Sequence, residues 1–200
     1  MIDDSPHNAG LGFRVCGKML VRTRCARKKA NLLSLLVPTL WLVLSVAAEA
    51  QQAIFLVRHG ETVAPMGTDL RPLSEAGHRR AALLATLLKE AGISTIFTSD
   101  LERTVKTAEP LAQSLRIEPQ ALEQLNTRFK QSDLEALVAR LRRVHSQDNV
   151  LVVGHSNSVP ALLKALGHPV EIKISEADFG NLFVLMPKSE GPPTLLRLRY

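Results

Sequence analysis

Two histidines each follow a short apolar run, His59 in "AIFLVRHGET" and His155 in "NVLVVGHSNS", and Arg58 precedes the first of them directly. A third apolar run, "STIFTS", leads through Asp100 to Arg103. Arginine presents a planar, permanently charged fork that matches phosphate oxygens. Histidine attacks phosphorus when neutral and stabilises anionic oxygen when protonated. Gly60, next to His59, has no side chain to keep a bound group away from the backbone. Two arginines and two histidines brought to one place are therefore equipped for phosphoryl transfer through a covalent phosphohistidine. They are less suited to hold zinc, and no metal-ligand spacing is visible along the chain.

The elements that must bring them together follow from hydrophobic periodicity. Ala53 to Arg58 is a short run of β-formers, as expected of a strand covered on both faces. The next helix carries Ala81, Leu84, Leu87, Leu88 and Ala91 on one face, with Ser74 as N-cap and Gly92 as a stop. Ser94 to Ser99 is a second strand, followed by a helix capped by Asp100 and running to about Ser114. A helix from Ser132, with Ser132 and Glu135 in capping-box spacing, carries a core stripe of Leu134, Leu137, Val138 and Leu141. "NVLVVGH" is a buried strand, and a helix from Ser158 or Pro160 to Leu166 stops at Gly167. "NLFVLM" and "TLLRLRY" are two closing strands with Pro192 and Pro193 in the turn. Strands alternating with helices over 150 residues predict an α/β fold: a three-layer αβα sandwich, mostly parallel, with antiparallel strands at one edge. In such sheets, ligands bind beyond the carboxyl ends of the strands. There the ends Arg58-His59-Gly60, Thr98-Ser99-Asp100 and Gly154-His155-Ser156 converge, with Arg103 one helical turn further on.

"LVRHGET", "SDLERTVKTAEPLA" and "VLVVGHSNSVP", in that order, resemble the histidine phosphatase (phosphoglycerate mutase-like) superfamily, and in length its short secreted and phosphohistidine-phosphatase-like branches. The resemblance runs from Ala53 to the C-terminus. It implies that His59 is the nucleophile and His155 the second histidine that steadies the transferring group. It implies further that Arg58 and Arg103 bind the phosphate, with no metal and no cofactor. The implied activity is a phosphatase acting on phosphate esters or phosphohistidine, in a phosphorylated small molecule or a phosphoprotein. A mutase, or a catalytically silent phosphate-binding module, is the alternative. The proton donor is not legible. Many members carry an acidic residue in an L-x-E segment, where this chain has Glu123 without the usual continuation, and Glu61 is close to His59 in sequence.

His78, His145 and His168 read as surface or loop residues. Ser156 and Ser158 lack the G-x-S-x-G elbow of a serine hydrolase.

The net charge of +6 does not signal nucleic acid. Seven of the 25 Lys/Arg and three of the 19 Asp/Glu lie in residues 1–50, which leaves 18 and 16, a net of +2, for the rest. Those charges are interspersed, with no basic stripe between aromatics. Both cysteines, Cys16 and Cys25, lie in the first 50 residues, so residues 51–200 hold no disulfide and no cysteine metal site. "RTRCARKK" is basic, Ala30 to Ala48 is uncharged and apolar, and "AEA" from Ala48 to Ala50 has signal-peptidase spacing. Residues 1–50 therefore read as an export signal, with Met19 an alternative start, and residues 51–200 as the phosphatase domain. The expected location is periplasmic or secreted. Retained as an anchor, residues 30–48 would instead hold the protein to a membrane. Trp41 is the single tryptophan. Exported protein should have an intact mass that starts near Gln51 and no tryptophan fluorescence. Membrane-bound protein that keeps Trp41 would establish the anchor.

Overall fold

The structure, a computed structural model, describes residues 53–63 and 71–200. The expected export segment, with Cys16, Cys25 and Trp41, and the expected boundary near Gln51 lie outside the described residues.

Six strands form one sheet in the order β3-β2-β4-β1-β5-β6. They are β1 (Ile54–Arg58), β2 (Ile93–Thr98), β3 (Gln120–Ala121), β4 (Asn149–Gly154), β5 (Asn181–Met186) and β6 (Thr194–Arg199). The helices are α1 (Glu75–Leu88), α2 (Glu102–Leu115), α3 (Gln131–Val144) and α4 (Ser158–Ala165). β3, β2, β4 and β1 pair in parallel, and β5 is antiparallel to both β1 and β6. The three-layer, mostly parallel sandwich expected from the alternation is the fold observed.

Alternation along β1 divides the core. Phe55 and Val57 pack with Leu84 and Leu88 of α1 and with Ala108 and Leu111 of α2. Ile54 and Leu56 pack with Leu134, Leu137 and Leu141 of α3 and with Val159, Leu162 and Leu163 of α4. Both faces of the central strands are therefore covered, which is why β1 and β4 read as continuous apolar runs. Among the described residues no helix is long and apolar enough to cross a membrane.

Several local expectations change. Leu87 is half exposed, so the buried stripe of α1 is narrower than its leucines suggest. Ser74 does cap α1, accepting from the Gly77 N–H at 3.2 Å. Asp100 caps nothing: Leu101 is the N-cap of α2, and its N–H donates to Ser99 Oγ at 3.3 Å. α3 starts at Gln131, and the Lys130 N–H donates to the Asp133 carboxylate, so the register of the cap is offset from the expected Ser132 and Glu135 pair. His145 is buried against Phe97 and bonded to Asp148 at 2.8 Å, a packed residue rather than a surface one. The two-residue β3 and the 3-10 turn Glu123–Leu125 are too short for periodicity to reveal.

Close contact fixes the loop after β1. A Cβ on Gly77 would lie 2.2 Å from the Glu61 carbonyl oxygen, and one on Gly60 would lie 3.0 Å from the Gly77 backbone. Gly60 thus also serves backbone packing on α1. The Ser74 N–H donates to the same Glu61 carbonyl at 2.8 Å, so helix and loop are held together. Gly77→Ala should therefore displace the loop that carries His59 and lower stability by about 1–3 kcal/mol, the usual cost of overpacking. Thermal denaturation of the variant checks this, and an unchanged midpoint would contradict it.

Candidate active site

The parallel pairing of β1 with β4 places Arg58 beside Gly154, and the His59 N–H donates to the Gly154 carbonyl at 3.0 Å. Each strand continues by one residue into a histidine, so His59 and His155 emerge side by side, ring centroids 5.2 Å apart and edge to face. β2 flanks β4 with Thr98 opposite Val153, which brings Ser99 to the same edge and Arg103 into the first turn of α2 behind it. Arg58, His59, Arg103 and His155 all line one cleft of about 570 Å³. All four residues expected from the sequence are thus brought together, and all are buried.

The His59 Nδ1 lies 2.7 Å from the Gly60 carbonyl oxygen. A carbonyl only accepts, so Nδ1 carries the proton and donates, and the lone pair is on Nε2. Burial, together with the charges of Arg58, Arg103 and Arg71, pushes the His59 pKa down to about 4, against the Gly60 bond that favours the cation. Burial, then His59 and the same arginines, pushes His155 down to about 3. Both rings are neutral near pH 7. Ser99 Oγ lies 3.1 Å from His155 Nε2, while the buried His155 Nδ1 has no partner among the described residues.

Arg58 is held by the segment before β5. Its Nη1 donates to the carbonyls of Ser175 and Glu176, each at 2.9 Å, and its Nη2 donates to the Glu176 carboxylate at 2.8 Å. The guanidinium also lies 4.1 Å from the Phe179 ring centroid. Burial lowers its pKa and Glu176 raises it, yet an arginine stays cationic. Its buried Nε has no partner among the described residues. Thr107 ties the loop to α2: it accepts from the Gly60 N–H at 2.9 Å and donates to the Arg103 carbonyl at 2.7 Å.

The glutamates divide. Glu123 does not line the cleft. Glu61 does, but its carboxylate accepts from Arg80 Nε at 2.9 Å and Nη2 at 2.6 Å, and Arg80 holds it below the usual carboxylate range. Glu176, Phe179, Arg71 and Thr107 escaped the sequence reading; Ser156, at one of the converging strand ends, was given no role there. Only Thr107 left a signal, one turn after Arg103 on the same helical face. Among the described residues no cluster of three or more His, Cys, Asp or Glu is arranged to hold a metal.

Comparison with known proteins agrees with the motifs. Residues 54–129 match the family model of the histidine phosphatase superfamily (branch 1). A "Probable phosphoglycerate mutase GpmB" of Proteus mirabilis is 47% identical over 68 residues, 32% of each chain. That of Yersinia enterocolitica is 44% identical over 64 residues, 30% of each. The match thus spans about a third of the length of these curated relatives. Among solved structures, the protein histidine phosphatase SixA complexed with tungstate superposes with a TM-score of 0.61 at 22% identity, covering 74% of this chain and 97% of that one. The structure of a "putative alpha-ribazole-5'-P phosphatase" from Escherichia coli gives 0.62 at 19% identity, covering 75% of this chain and 97% of that one. These two likenesses establish the fold.

Neutral histidines at a cationic site have a consequence for stability. The unfolded chain takes up protons on both near the ordinary value of 6.5, whereas the folded chain resists protonation until about pH 4 or 3. The unfolded state therefore binds more protons in this window, and stability falls as pH drops from about 6.5 towards 4, by up to ~1.4 kcal/mol per pH unit for each histidine. Denaturation midpoints of His155→Asn should fall less steeply with acid than those of the unmodified protein. Equal slopes would contradict the assignment. The motifs and the family model point the same way: residues 54–129 match the histidine phosphatase superfamily.

Proposed function

We propose that the protein is a phosphatase that hydrolyses phosphate esters or phosphohistidine through a covalent intermediate on His59, without a metal. The observation that carries this reading is the His59 ring itself. It is neutral, fixed through Nδ1–H to the Gly60 carbonyl, and surrounded by arginine charge with Nε2 available. A neutral nucleophile beside fixed cations suits attack on an anionic phosphoryl group, because the cations stabilise charge without protonating the attacking atom.

In this mechanism a substrate phosphoryl group enters the cleft, and Arg58, Arg103 and His155 hold its equatorial oxygens. His59 Nε2 forms a bond to phosphorus while the bond to the leaving group breaks in line with it. Positive charge that develops on the imidazole is stabilised by the Nδ1–H bond to Gly60. Water then attacks the phosphohistidine, the P–N bond breaks, and phosphate leaves with His59 neutral again. The arginines and His155 bind most tightly as the transferring group spreads its charge, so they act on rate as well as affinity. SixA, a solved relative in fold, binds tungstate, an oxyanion of similar shape to phosphate. The name of the curated relatives keeps a mutase as the enzymatic alternative. Export to the periplasm or medium through residues 1–50 belongs to the same proposal.

His59→Ala should lose turnover by about 10⁴-fold or more and lose phosphoenzyme formation with it. Arg103→Ala should lose about 10- to 100-fold, the value of a charged phosphate contact. Assays against a panel of phosphomonoesters and a phosphohistidine peptide, all run in EDTA, test both. Activity that requires added metal, or a His59→Ala variant that still turns over well, would contradict the proposal. A wild type silent towards every donor would favour the binding module, and transfer between substrate positions the mutase.

A further inference from the structure

We infer that Glu176 is the proton donor and acceptor for this site, the acid that the motifs do not reveal. The inference rests on the phosphatase reading above. Among the described residues only two carboxylates line the cleft, Glu61 and Glu176. Glu61 is locked side-on by Arg80 and 24% exposed, fixed by a partner that has no role at the phosphate. Glu176 differs in each respect. Its side chain is 82% exposed at the mouth of the cleft, and its two oxygens accept from Arg58 Nη2 at 2.8 Å and from Ser156 Oγ at 2.6 Å. Both partners line the same cleft as His59.

The position suits an in-line displacement. The nucleophile, His59, is only 6% exposed at the floor, so the leaving group must depart towards the open mouth, where Glu176 stands. The charge environment suits it as well. In the free site the groups facing Glu176 are Ser156 and Arg58, which hold its pKa down, with the neutral His59 near by. Arg71 and Arg103 are the other cationic side chains of the cleft. An incoming phosphoryl group competes for Arg58 and brings negative charge of its own. Both changes favour the protonated carboxyl. Substrate binding thus loads the proton that the leaving group needs.

The two steps then balance. As His59 Nε2 bonds to phosphorus and the P–O bond to the leaving group breaks, the Glu176 carboxyl gives its proton to the departing oxygen, and an alcohol leaves. Glu176, now a carboxylate, takes a proton from the attacking water as that oxygen bonds to phosphorus and the P–N bond breaks. Phosphate departs and the carboxyl is protonated as at the start.

The test is leaving-group dependence. A proton donor matters most for a strongly basic leaving oxygen and little for a weakly basic one, a distinction that a merely structural role would not produce. Glu176→Gln should lower kcat/KM for an alkyl phosphate about 10²-fold or more, and for p-nitrophenyl phosphate less than about 10-fold. Vanadate affinity should be retained or tightened, since the variant no longer sets a carboxylate against the anion. Glu176→Asp, which keeps the acid, should recover part of the alkyl phosphate rate. Equal losses on both substrates, or an Asp variant no better than Gln on the alkyl phosphate, would overturn the assignment while leaving the phosphatase reading intact. Absence of turnover and of phosphoenzyme in the unmodified protein would overturn both.

Discussion

The pairing of β1 with β4 is the constraint on which the site depends. Backbone hydrogen bonds between neighbouring parallel strands fix their register to the residue, and here that register sets Arg58 against Gly154. One residue beyond the last pair, each chain releases a histidine at the same height, and the His59 N–H still bonds back to Gly154. No side chain has to reach for the other. The 5.2 Å between the two rings follows from strand spacing and from the directions of the turns that begin there. Shifting β1 by one residue against β4 would turn the apolar residues of one core face to the other, so the hydrophobic core that builds the sheet also holds the site together.

A second consequence is electrostatic. The strand ends are close enough to the core that both histidines are nearly sealed from water, and desolvation is the largest influence on each. Arginine remains charged in the same surroundings because its ordinary pKa is so far above neutral. Burial therefore sorts the four residues into permanent cations and neutral rings. A cleft built this way attracts anions and still keeps a lone pair on His59 Nε2. Arg58 is steadied by two carbonyls, a carboxylate and an aromatic face, all from the segment that precedes β5. The antiparallel addition of β5 beside β1 carries that segment to the site. β5 contributes to the site in this way although none of the four expected residues lies on it.

Much of this was legible in the sequence, for physical reasons. Apolar runs such as "IFLVR" and "VLVVG" can be satisfied only by burial on both faces, and polar residues at their ends need an opening. From this the sheet, its helices and the convergence of Arg58, His59, Arg103 and His155 all follow. The gaps have equally definite causes. Glu176 and Phe179 lie in an irregular segment with no periodicity, and they reach Arg58 across more than 115 positions of chain. Leu87 follows the spacing of the α1 stripe yet is half exposed, because the sheet meets the helix along a narrower line than its composition covers. His145 looked like a loop residue, yet Asp148 and the Phe97 ring give it a buried place that no local pattern encodes. The packing of Gly60 on Gly77 was hidden because Gly77 approaches only in the folded chain.

In the proposed mechanism the nitrogen that accepts phosphorus is Nε2 of His59, because the Gly60 carbonyl engages Nδ1. It can be read from phosphoenzyme trapped by rapid quenching, denatured in alkali, digested, and mapped with ³¹P NMR to identify the phosphorylated nitrogen. The expected result is a single label at His59, on Nε2. A label on Nδ1, or on His155, would contradict it.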